Sequence, residues 1–285
     1  MRVRDTKRWG VGKLYPSKQE FLESTVSDGL HTIQAGNLLI DLLVKNRQSD
    51  VTLIFFHASV TKHSTYPVLV GDGMAKAAGA NLISVSDPVL AYTDKVRLGW
   101  FLGVKPIGSF PEFLKPVLLH AVEGLGATRV IIGGSSGGGY AAVNFSRFFN
   151  GSAVLCINPR LNLGARPSPR LQDFLVHAYR ASGRTQYSRL KSTYVTEDLA
   201  TCFPNGLANH VGLLQNSGDR DYYEGQFTPF VEALRPEQNL WTRLDSIGEG
   251  HVPYPKEILH EIFGNLGDGR LTIPEAFEKS GFRNE

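Results

Sequence analysis

The segment TRVIIGGSSGGGYAAVNF, residues 128–145, decides the fold prediction because a strand, a turn and a helix follow one another in it without a break. Its apolar start predicts a strand over 128–133, and its end predicts a helix over 137–149. The turn between them contains G-x-S-x-G, in which a serine occupies the tip of a sharp strand-to-helix turn. Side chains two positions before and after that serine would collide, and glycine at both positions removes the collision.

The glycine-rich turn fits this pattern in two registers. Gly134-Ser135-Ser136-Gly137-Gly138 centres it on Ser136, and the register one residue earlier centres it on Ser135. We predict Ser136 as a nucleophile because glycines and small residues follow it and allow close packing of the next helix; Ser135 is the alternative. A phosphate-binding loop is disfavoured because Gly-Lys-Ser/Thr is absent. A dinucleotide-binding turn is disfavoured because no acidic residue stands about 20 positions further on.

Apolar runs on both sides of this segment predict further strands, and helical patterns lie between them. The additional strands cover residues 37–44, 51–58, 81–86, 152–158, 210–216 and 240–246. The additional helices cover residues 67–79, with a Gly-Asp-Gly break at 71–73, and residues 110–124, 225–235 and 254–264. Strands alternating with helices predict an α/β protein whose mostly parallel sheet has helices on both faces. In such a sheet the chemistry takes place at the carboxyl ends of the strands.

The loops after the last two predicted strands contain partners for a serine nucleophile, which needs a base and a carboxylate that orients the base. One loop reads Asn216-Ser217-Gly218-Asp219-Arg220-Asp221, and the other reads Gly248-Glu249-Gly250-His251. We predict His251 as the base, because the glycines around Glu249 allow its loop to bend. We predict Asp219 as the carboxylate because it lies nearest the strand end, with Asp221 and then Glu249 as alternatives.

Backbone N–H groups are expected to stabilise the oxyanion that forms when a serine attacks an acyl carbonyl. Gly137 follows the nucleophile and is predicted to supply one of them. Ala58 or Ser59, in the loop after the early strand 51–58, is predicted to supply the other. His57-Ala58 stands where His-Gly is usual, but only the backbone is required, and His57 is interpreted as a structural residue.

These three loops, taken together, resemble the α/β-hydrolase superfamily across roughly residues 37–264. The Ser-Ser-Gly-Gly-Gly-Tyr turn and the Ile157-Asn158-Pro159-Arg160 segment are also loosely similar to a branch found with bacterial surface-polysaccharide and accessory secretion systems. The resemblance implies an α/β-hydrolase fold, and the second likeness implies acyl transfer to or from a sugar hydroxyl. We expect a single domain over residues 1–285, with residues 159–209 as a small cap insertion.

Composition limits the classes of function. The chain has 285 residues and a formal net charge of +3, which does not by itself indicate nucleic-acid binding. Its basic start is not followed by an apolar run, and no stretch is apolar for long enough to suggest a membrane span. The two cysteines, Cys156 and Cys202, predict buried thiols and a cytoplasmic protein. The histidines show no metal-ligand spacing, so we predict no metal and no organic cofactor.

The predicted cap carries an excess of positive charge. Residues 160–191 contain seven basic residues (Arg160, Arg166, Arg170, Arg180, Arg184, Arg189 and Lys191) and one acidic residue, Asp173. This segment is either a solvated basic face or a surface that attracts an anionic substrate. Asp87, Tyr92 and Trp100 are candidates for the mouth of the pocket, although core packing explains Trp100 equally well.

The sequence therefore predicts a serine hydrolase, an esterase acting on a small-molecule or glycan acyl ester through Ser136, His251 and Asp219. The alternative is an acyltransferase in which a sugar or alcohol, rather than water, accepts the acyl group from the same serine. A third interpretation is a binding protein that keeps the fold without catalysis. The sequence leaves the acyl group, the alcohol and the oligomeric state open.

Overall fold

The computed structural model describes residues 2–166 and 171–285. Most of the predicted strands and helices are present, with small shifts at their ends. The strands, in chain order, are β1 (Lys13–Tyr15), β2 (Gly29–Ala35), β3 (Leu38–Lys45), β4 (Val51–Phe56), β5 (Asn81–Val85), β6 (Gly103–Val104), β7 (Gly108–Ser109), β8 (Arg129–Ser135), β9 (Ala153–Ile157), β10 (His210–Asn216), β11 (Leu240–Asp245) and β12 (Arg283–Asn284).

Helices alternate with the strands from β4 onwards, as the sequence pattern predicts. They are α1 (Lys18–Leu22), α2 (Asp72–Ala77), α3 (Pro88–Tyr92), α4 (Phe110–Gly124), α5 (Gly137–Ser146), α6 (Leu171–Tyr179), α7 (Gly183–Tyr194), α8 (Arg220–Tyr222), α9 (Thr228–Leu234), α10 (Lys256–Gly267) and α11 (Ile273–Lys279). A π-helical segment, Tyr223–Phe227, connects α8 to α9. Within the described ranges, no helix is long and apolar enough to cross a membrane.

In the described part of the chain, ten strands form one sheet in the order β1-β2-β3-β5-β4-β8-β9-β10-β11-β12. The strands from β5 to β11 in this order pair in parallel, while β3 and β12 pair antiparallel with their neighbours. The predicted mostly parallel sheet is confirmed. Its parallel part brings the carboxyl ends of β4, β8, β9, β10 and β11 to the same edge, where the predicted site residues follow.

Two hydrophobic cores cover the two faces of the sheet. Successive side chains of a strand point to opposite faces, and β4 divides accordingly, with Ile54 and Phe56 in one core and Leu53 and Phe55 in the other. The first core contains residues of α4, α5 and α6, and the second contains residues of α2, α10 and α11. Helices therefore cover both faces, as predicted.

The structure corrects two element boundaries. The helix predicted over 67–79 begins only at Asp72, because Gly71 has a positive φ of 101° and ends the extended approach to the helix. The helix predicted over 225–235 is the second part of a continuous helical segment that begins at Arg220 in α8 and ends at Leu234 in α9. Between β9 and β10, where the sequence predicts a cap, the described residues include α6 and α7.

Candidate active site

The turn between β8 and α5 has the strained geometry predicted from its glycines. Ser136 precedes α5 with φ 53° and ψ −116°, a conformation that non-glycine residues rarely adopt. A Cβ on Gly134 would lie 2.1 Å from the carbonyl oxygen of Gly138, and a Cβ on Gly138 would lie 2.3 Å from that of Phe56. Both positions therefore require glycine for backbone reasons.

This geometry favours Ser136 over Ser135 as the centre of the turn. Ser135 is the last residue of β8 and is paired with Ile157 of β9. In the register centred on Ser135, the critical glycines would be Gly133 and Gly137, yet added Cβ atoms there meet only side chains. The backbone collisions occur at the two positions that flank Ser136, so the tight turn is built around that residue.

The loops after β10 and β11 bring an aspartate and a histidine together. The Nδ1 atom of His251 lies 2.5 Å from Oδ2 of Asp219, and because an ionised carboxylate only accepts hydrogen bonds, Nδ1 carries the proton. Asp219 is buried, whereas the imidazole of His251 is 36% exposed. The two alternatives, Asp221 and Glu249, are both exposed, and the described contacts of the imidazole include neither.

Two buried asparagines, which the sequence analysis did not single out, hold these loops in place. Asn216 Nδ2 donates to the carbonyl oxygens of Gly248 and Gly250, and Asn158 Nδ2 donates to that of Val252. Asn158 Oδ1 also accepts the backbone N–H of Asn216. The loops after β9, β10 and β11 are thus joined by side-chain amides, which position the ring of His251. Asn158 belongs to the quoted Ile157-Asn158-Pro159-Arg160 segment, but nothing in the sequence showed this role.

Tyr222 is a third residue whose role sequence reasoning missed. Its ring stacks on the imidazole of His251 with centroids 4.0 Å apart, and its hydroxyl lies 3.4 Å from Oγ of Ser136. Arg160, which is 6% exposed, donates from Nη2 to the same hydroxyl at 3.0 Å. Among the hydrogen bonds of the described residues, the Ser136 hydroxyl bonds to Tyr222 and not to His251. Tyr222 therefore lies in contact with both Ser136 and His251 and connects the two residues.

The residues predicted to bind an oxyanion lie at the start of α5 and in the loop after β4. The carbonyl of Ser136 accepts N–H groups from Gly139 and Arg160. Gly137 begins α5, and the N–H groups of a first helical turn have no acceptor within the helix. Ser59, in the loop after β4, lines the same pocket as Ser136 and Gly137, while Ala58 is half-buried beside it. The predicted oxyanion-binding residues therefore converge at one end of the sheet.

His57 has the structural role that the sequence predicted. Its Nδ1–H donates to the carbonyl oxygen of Ala58 at 2.7 Å, and its Nε2 accepts the backbone N–H of Asp87 at 3.0 Å. Complete burial lowers the pKa of His57 to about 4, so the ring is neutral at pH 7, as the two hydrogen bonds require. Burial also raises the pKa of Asp87 to about 6, against three backbone hydrogen bonds that lower it.

The depressed pKa of His57 predicts a pH dependence of stability. The imidazole of His57 takes up a proton near pH 6.5 in the unfolded chain and only near pH 4 in the folded chain. The contribution of His57 to stability is therefore complete above pH 6.5 and is lost as the pH falls towards 4. Between pH 7 and pH 5 the loss should be about 2 kcal/mol. The stability difference between wild type and His57→Asn should shrink by that amount in urea denaturation. The pKa of Asp87 shifts in the opposite direction, but Asp87 is present in both proteins and its effect cancels in the comparison. An equal stability difference between the two proteins at pH 7 and at pH 5 would contradict the prediction.

A pocket of about 400 Å³ opens above Ser136 and Gly137. One side is apolar and is formed by Leu98, Trp100 and Phe174, which we call the acyl wall. The other side is polar and includes Arg160 and Tyr222. Lys95 and Arg97, which we call the cationic rim, are exposed at its mouth.

The predicted substrate contacts are only partly in this pocket. Of the candidates after β5, Trp100 lines the pocket, Asp87 is buried behind it, and Tyr92 accepts a hydrogen bond from Arg180. Arg160 is the basic residue of the cap segment that lines the described part of the pocket, while Arg166 and Arg184 are exposed elsewhere. Arg170 lies outside the described residues. Positive charge at the pocket thus comes mainly from the loop after α3.

Neither cysteine lies in the site. Cys156 is buried and Cys202 is half-buried, both are free, and burial raises the pKa of each thiol. In the ranges 2–166 and 171–285, no group of three or more histidine, cysteine, aspartate or glutamate side chains is arranged to hold a metal ion.

Solved structures match this chain over most of its length. The capsule O-acetyltransferase of Neisseria meningitidis serogroup A is 13% identical, covers 85% of this chain and 95% of its own, and has a TM-score of 0.60. An S-formylglutathione hydrolase from Agrobacterium tumefaciens is 13% identical over 83% of this chain and 91% of its own, with a TM-score of 0.54. An alpha-beta serine hydrolase homologue from Coxiella burnetii is 13% identical over 85% and 98%, with a TM-score of 0.50.

The chain has the α/β-hydrolase fold. No protein-family model matches the sequence, and no curated protein matches it. Within the α/β-hydrolase fold of this chain, Ser136 follows β8, Asp219 follows β10 and His251 follows β11, in the order that the sequence predicts.

Proposed function

We propose that this protein is a serine-dependent acyl-transfer enzyme, with Ser136 as nucleophile, His251 as general base and Asp219 as the carboxylate that orients the base. One observation carries the proposal: a strained serine and a hydrogen-bonded Asp219–His251 pair are both in contact with one side chain, Tyr222, at the carboxyl end of the sheet. Strain of this kind is retained where it has a function. Tyr222 follows Asp219 by three residues and contacts residues from the other two loops, Ser136 and His251.

The proposed reaction proceeds in two steps. Oγ of Ser136 attacks the acyl carbonyl while Nε2 of His251 accepts its proton, and Asp219 stabilises the imidazolium that results. The N–H groups of Gly137 and of Ala58 or Ser59 stabilise the oxyanion. His251 then returns the proton to the leaving group, and an acyl-enzyme remains. Water or an alcohol attacks this intermediate by the same route and releases Ser136.

The proton transfer requires a local rearrangement. The Ser136 hydroxyl faces Tyr222, and we propose that it rotates about χ1 towards Nε2 of His251 when substrate occupies the pocket. Catalytic hydrogen bonds commonly tighten only in the substrate complex. Arg160 and the ring of His251 hold Tyr222 from two sides, so this side chain stays in place while the serine turns.

Residues 159–209 are proposed to act as a cap over this site within a single domain. Helix α6, which lies in this segment, contributes Asp173 and Phe174 to the pocket that contains Ser136. A segment inserted between β9 and β10 thereby closes one side of the site.

Covalent labelling with a fluorophosphonate tests the proposed function. The probe should modify Ser136, as identified by mass spectrometry of the labelled peptide, and Ser135→Ala should be labelled like wild type. Labelling confined to another residue, or none with folded protein, would overturn the proposal.

A second candidate function is transfer of the acyl group from an anionic donor to a sugar or alcohol. The cationic rim, Lys95 and Arg97, favours it because both positive side chains stand at the mouth of the pocket while the acyl wall lies inside. A thioester of coenzyme A has this combination of phosphates and a short acyl group. A mutant of the N. meningitidis acetyltransferase, a protein of the same fold, forms a complex with CoA.

Neutralising the rim tests this donor. Lys95→Ala with Arg97→Ala should raise KM for an acyl-CoA about tenfold, because hydrogen bonds between charged groups contribute about 1.5 kcal/mol or more in total. The double variant should also lose the salt dependence of KM. KM for a neutral acyl ester should not change, and Arg184→Ala, which removes an exposed charge elsewhere, serves as the matched control. Equal KM values for acyl-CoA in the double variant and wild type would contradict the assignment of an anionic acyl donor. Hydrolysis of an acyl ester would then remain as the proposed reaction.

A further inference from the structure

The loop that forms the acyl wall has an unusual backbone. Trp100 and Phe101 both have positive φ values, 50° and 58°, which non-glycine residues adopt only when their surroundings enforce it. Leu98 and Trp100 of this loop reach the pocket, and Phe101 is fully buried beneath it. Two adjacent strained residues at a pocket wall indicate that the position of this wall is maintained against a conformational cost.

A buried carboxylate enforces this conformation. Oδ2 of Asp87 accepts the N–H groups of Gly99 and Phe101 at 2.7 and 3.1 Å, and Oδ1 accepts that of Val89 at 3.0 Å. Successive N–H groups turned towards one anion form a recurrent backbone cradle. Asp87 is itself fully buried, so these hydrogen bonds have no competition from water.

The same carboxylate residue is connected to the loop after β4. The N–H of Asp87 donates to His57, which in turn donates to the carbonyl oxygen of Ala58. The acyl wall and the loop that contains Ser59 are therefore positioned by one continuous network of buried hydrogen bonds. A shift of Asp87 would displace the acyl wall and the loop that contains Ser59 together.

The wall lies directly against the residue that follows the nucleophile. The Cδ2 atom of Leu98 is 2.0 Å from where a Cβ of Gly137 would stand, and Cδ1 of Trp100 is 3.2 Å from it. Trp100 packs edge-on against Phe174 with ring centroids 5.6 Å apart, which prevents the indole from swinging away. An acyl group whose carbonyl oxygen points to the N–H of Gly137 meets these side chains within a few carbon atoms.

We infer that the strained loop held by Asp87 sets the length of the acyl group, so that Ser136 accepts short acyl chains and excludes long ones. This inference rests on the proposed function and specifies its substrate class. Leu98 and Trp100 are specificity-determining residues in contact with the acyl chain, and Asp87 is a positioning residue that acts through them.

The test compares acyl esters of increasing chain length. Wild type should hydrolyse p-nitrophenyl acetate with a kcat/KM at least about tenfold above that for the hexanoate, since each excluded methylene changes discrimination by about tenfold or more. Leu98→Ala and Trp100→Ala should each lower the acetate-to-hexanoate ratio of kcat/KM by about tenfold, which removes or reverses the preference for acetate. Asp87→Asn, which keeps the size of the side chain but replaces an acceptor by a donor, should reduce the ratio as well.

A matched control separates selectivity from general destabilisation. Leu259 is 7% exposed, close to the 8% of Leu98, but lies in the core on the other face of the sheet, and Leu259→Ala should leave the ratio unchanged. A wild type that prefers hexanoate, or an unchanged ratio in both wall variants, would overturn the inference while the proposed function stands. No turnover of any ester and no fluorophosphonate labelling of wild type would overturn the proposed function and the inference with it.

Discussion

Replacing Ser136 with alanine should reduce kcat/KM for an acyl ester by about 10⁴- to 10⁶-fold and abolish covalent labelling by a fluorophosphonate. The reason is that the reaction loses its nucleophile, and the remaining oxyanion-binding groups and pocket provide only residual catalysis. Stability should change little, because the described hydroxyl contact of Ser136 is a single one of 3.4 Å. Steady-state kinetics with p-nitrophenyl acetate and urea denaturation measure both effects.

The neighbouring serine provides the control for this experiment. Ser135→Ala removes a hydroxyl one residue away, at the end of β8, and should retain kcat/KM within about twofold. If activity were lost in Ser135→Ala and kept in Ser136→Ala, Ser135 would be the nucleophile and our assignment would be wrong. Loss in both variants with folded protein would indicate that the turn itself, rather than one hydroxyl, is needed.

Asp219→Asn should lower kcat by about 10⁴-fold with little change of the free energy of unfolding. An asparagine amide facing Nδ1 of His251 favours the tautomer with its proton on Nε2, and that nitrogen can then no longer accept the serine proton. Because the Asp219–His251 hydrogen bond is short, 2.5 Å, we expect this change of tautomer to be the main effect of the substitution on kcat. His251→Ala should cause a similar loss, because the two residues act as one unit.

Asp221→Asn is the matched control for the carboxylate. Asp221 lies two residues away, in the short helix that Asp219 caps, but is exposed, so its replacement should leave kcat within about twofold of wild type. Full activity in Asp219→Asn together with a large loss in Asp221→Asn would exchange the roles of the two aspartates.

Local sequence patterns could predict the strands β3 to β5 and β8 to β11, several helices between them and the loops of the candidate site, whereas β1, β2 and α1 had no predicted counterpart. The strand over 210–216 and the helix over 110–124 were predicted with their observed ends, because each is a periodic or continuous apolar run with clear boundaries. The boundary of α2 was wrong by several residues. The Gly71-Asp72-Gly73 break is visible in the sequence, but only the structure shows that Gly71 lies against Phe55 of β4 and that the helix begins after it.

The side chains that complete the site could not be predicted. Tyr222 and Arg160 are separated by 62 residues, and their hydrogen bond depends on how the loops after β9 and β10 meet. In the sequence, Asn158 and Asn216 are polar residues at strand ends with no distinguishing pattern. Only the structure shows that their amides connect three loops. The positive charge of the pocket was also expected from the cap, whereas much of it comes from Lys95 and Arg97.

The sequence by itself determined the strand–turn–helix around Ser136, because the steric need for Gly134 arises from Gly138, four residues further along the chain. The need for Gly138 arises from the backbone of Phe56 in β4, which only the tertiary structure shows. It also determined the order of serine, aspartate and histidine along the sheet, since parallel strands place successive loops at one edge. Only the tertiary structure decided that Asp219 rather than Asp221 faces His251, that Tyr222 stands between His251 and Ser136, and that Asp87 holds the acyl wall. Each of these depends on distances between side chains far apart in sequence, which packing of the whole domain sets.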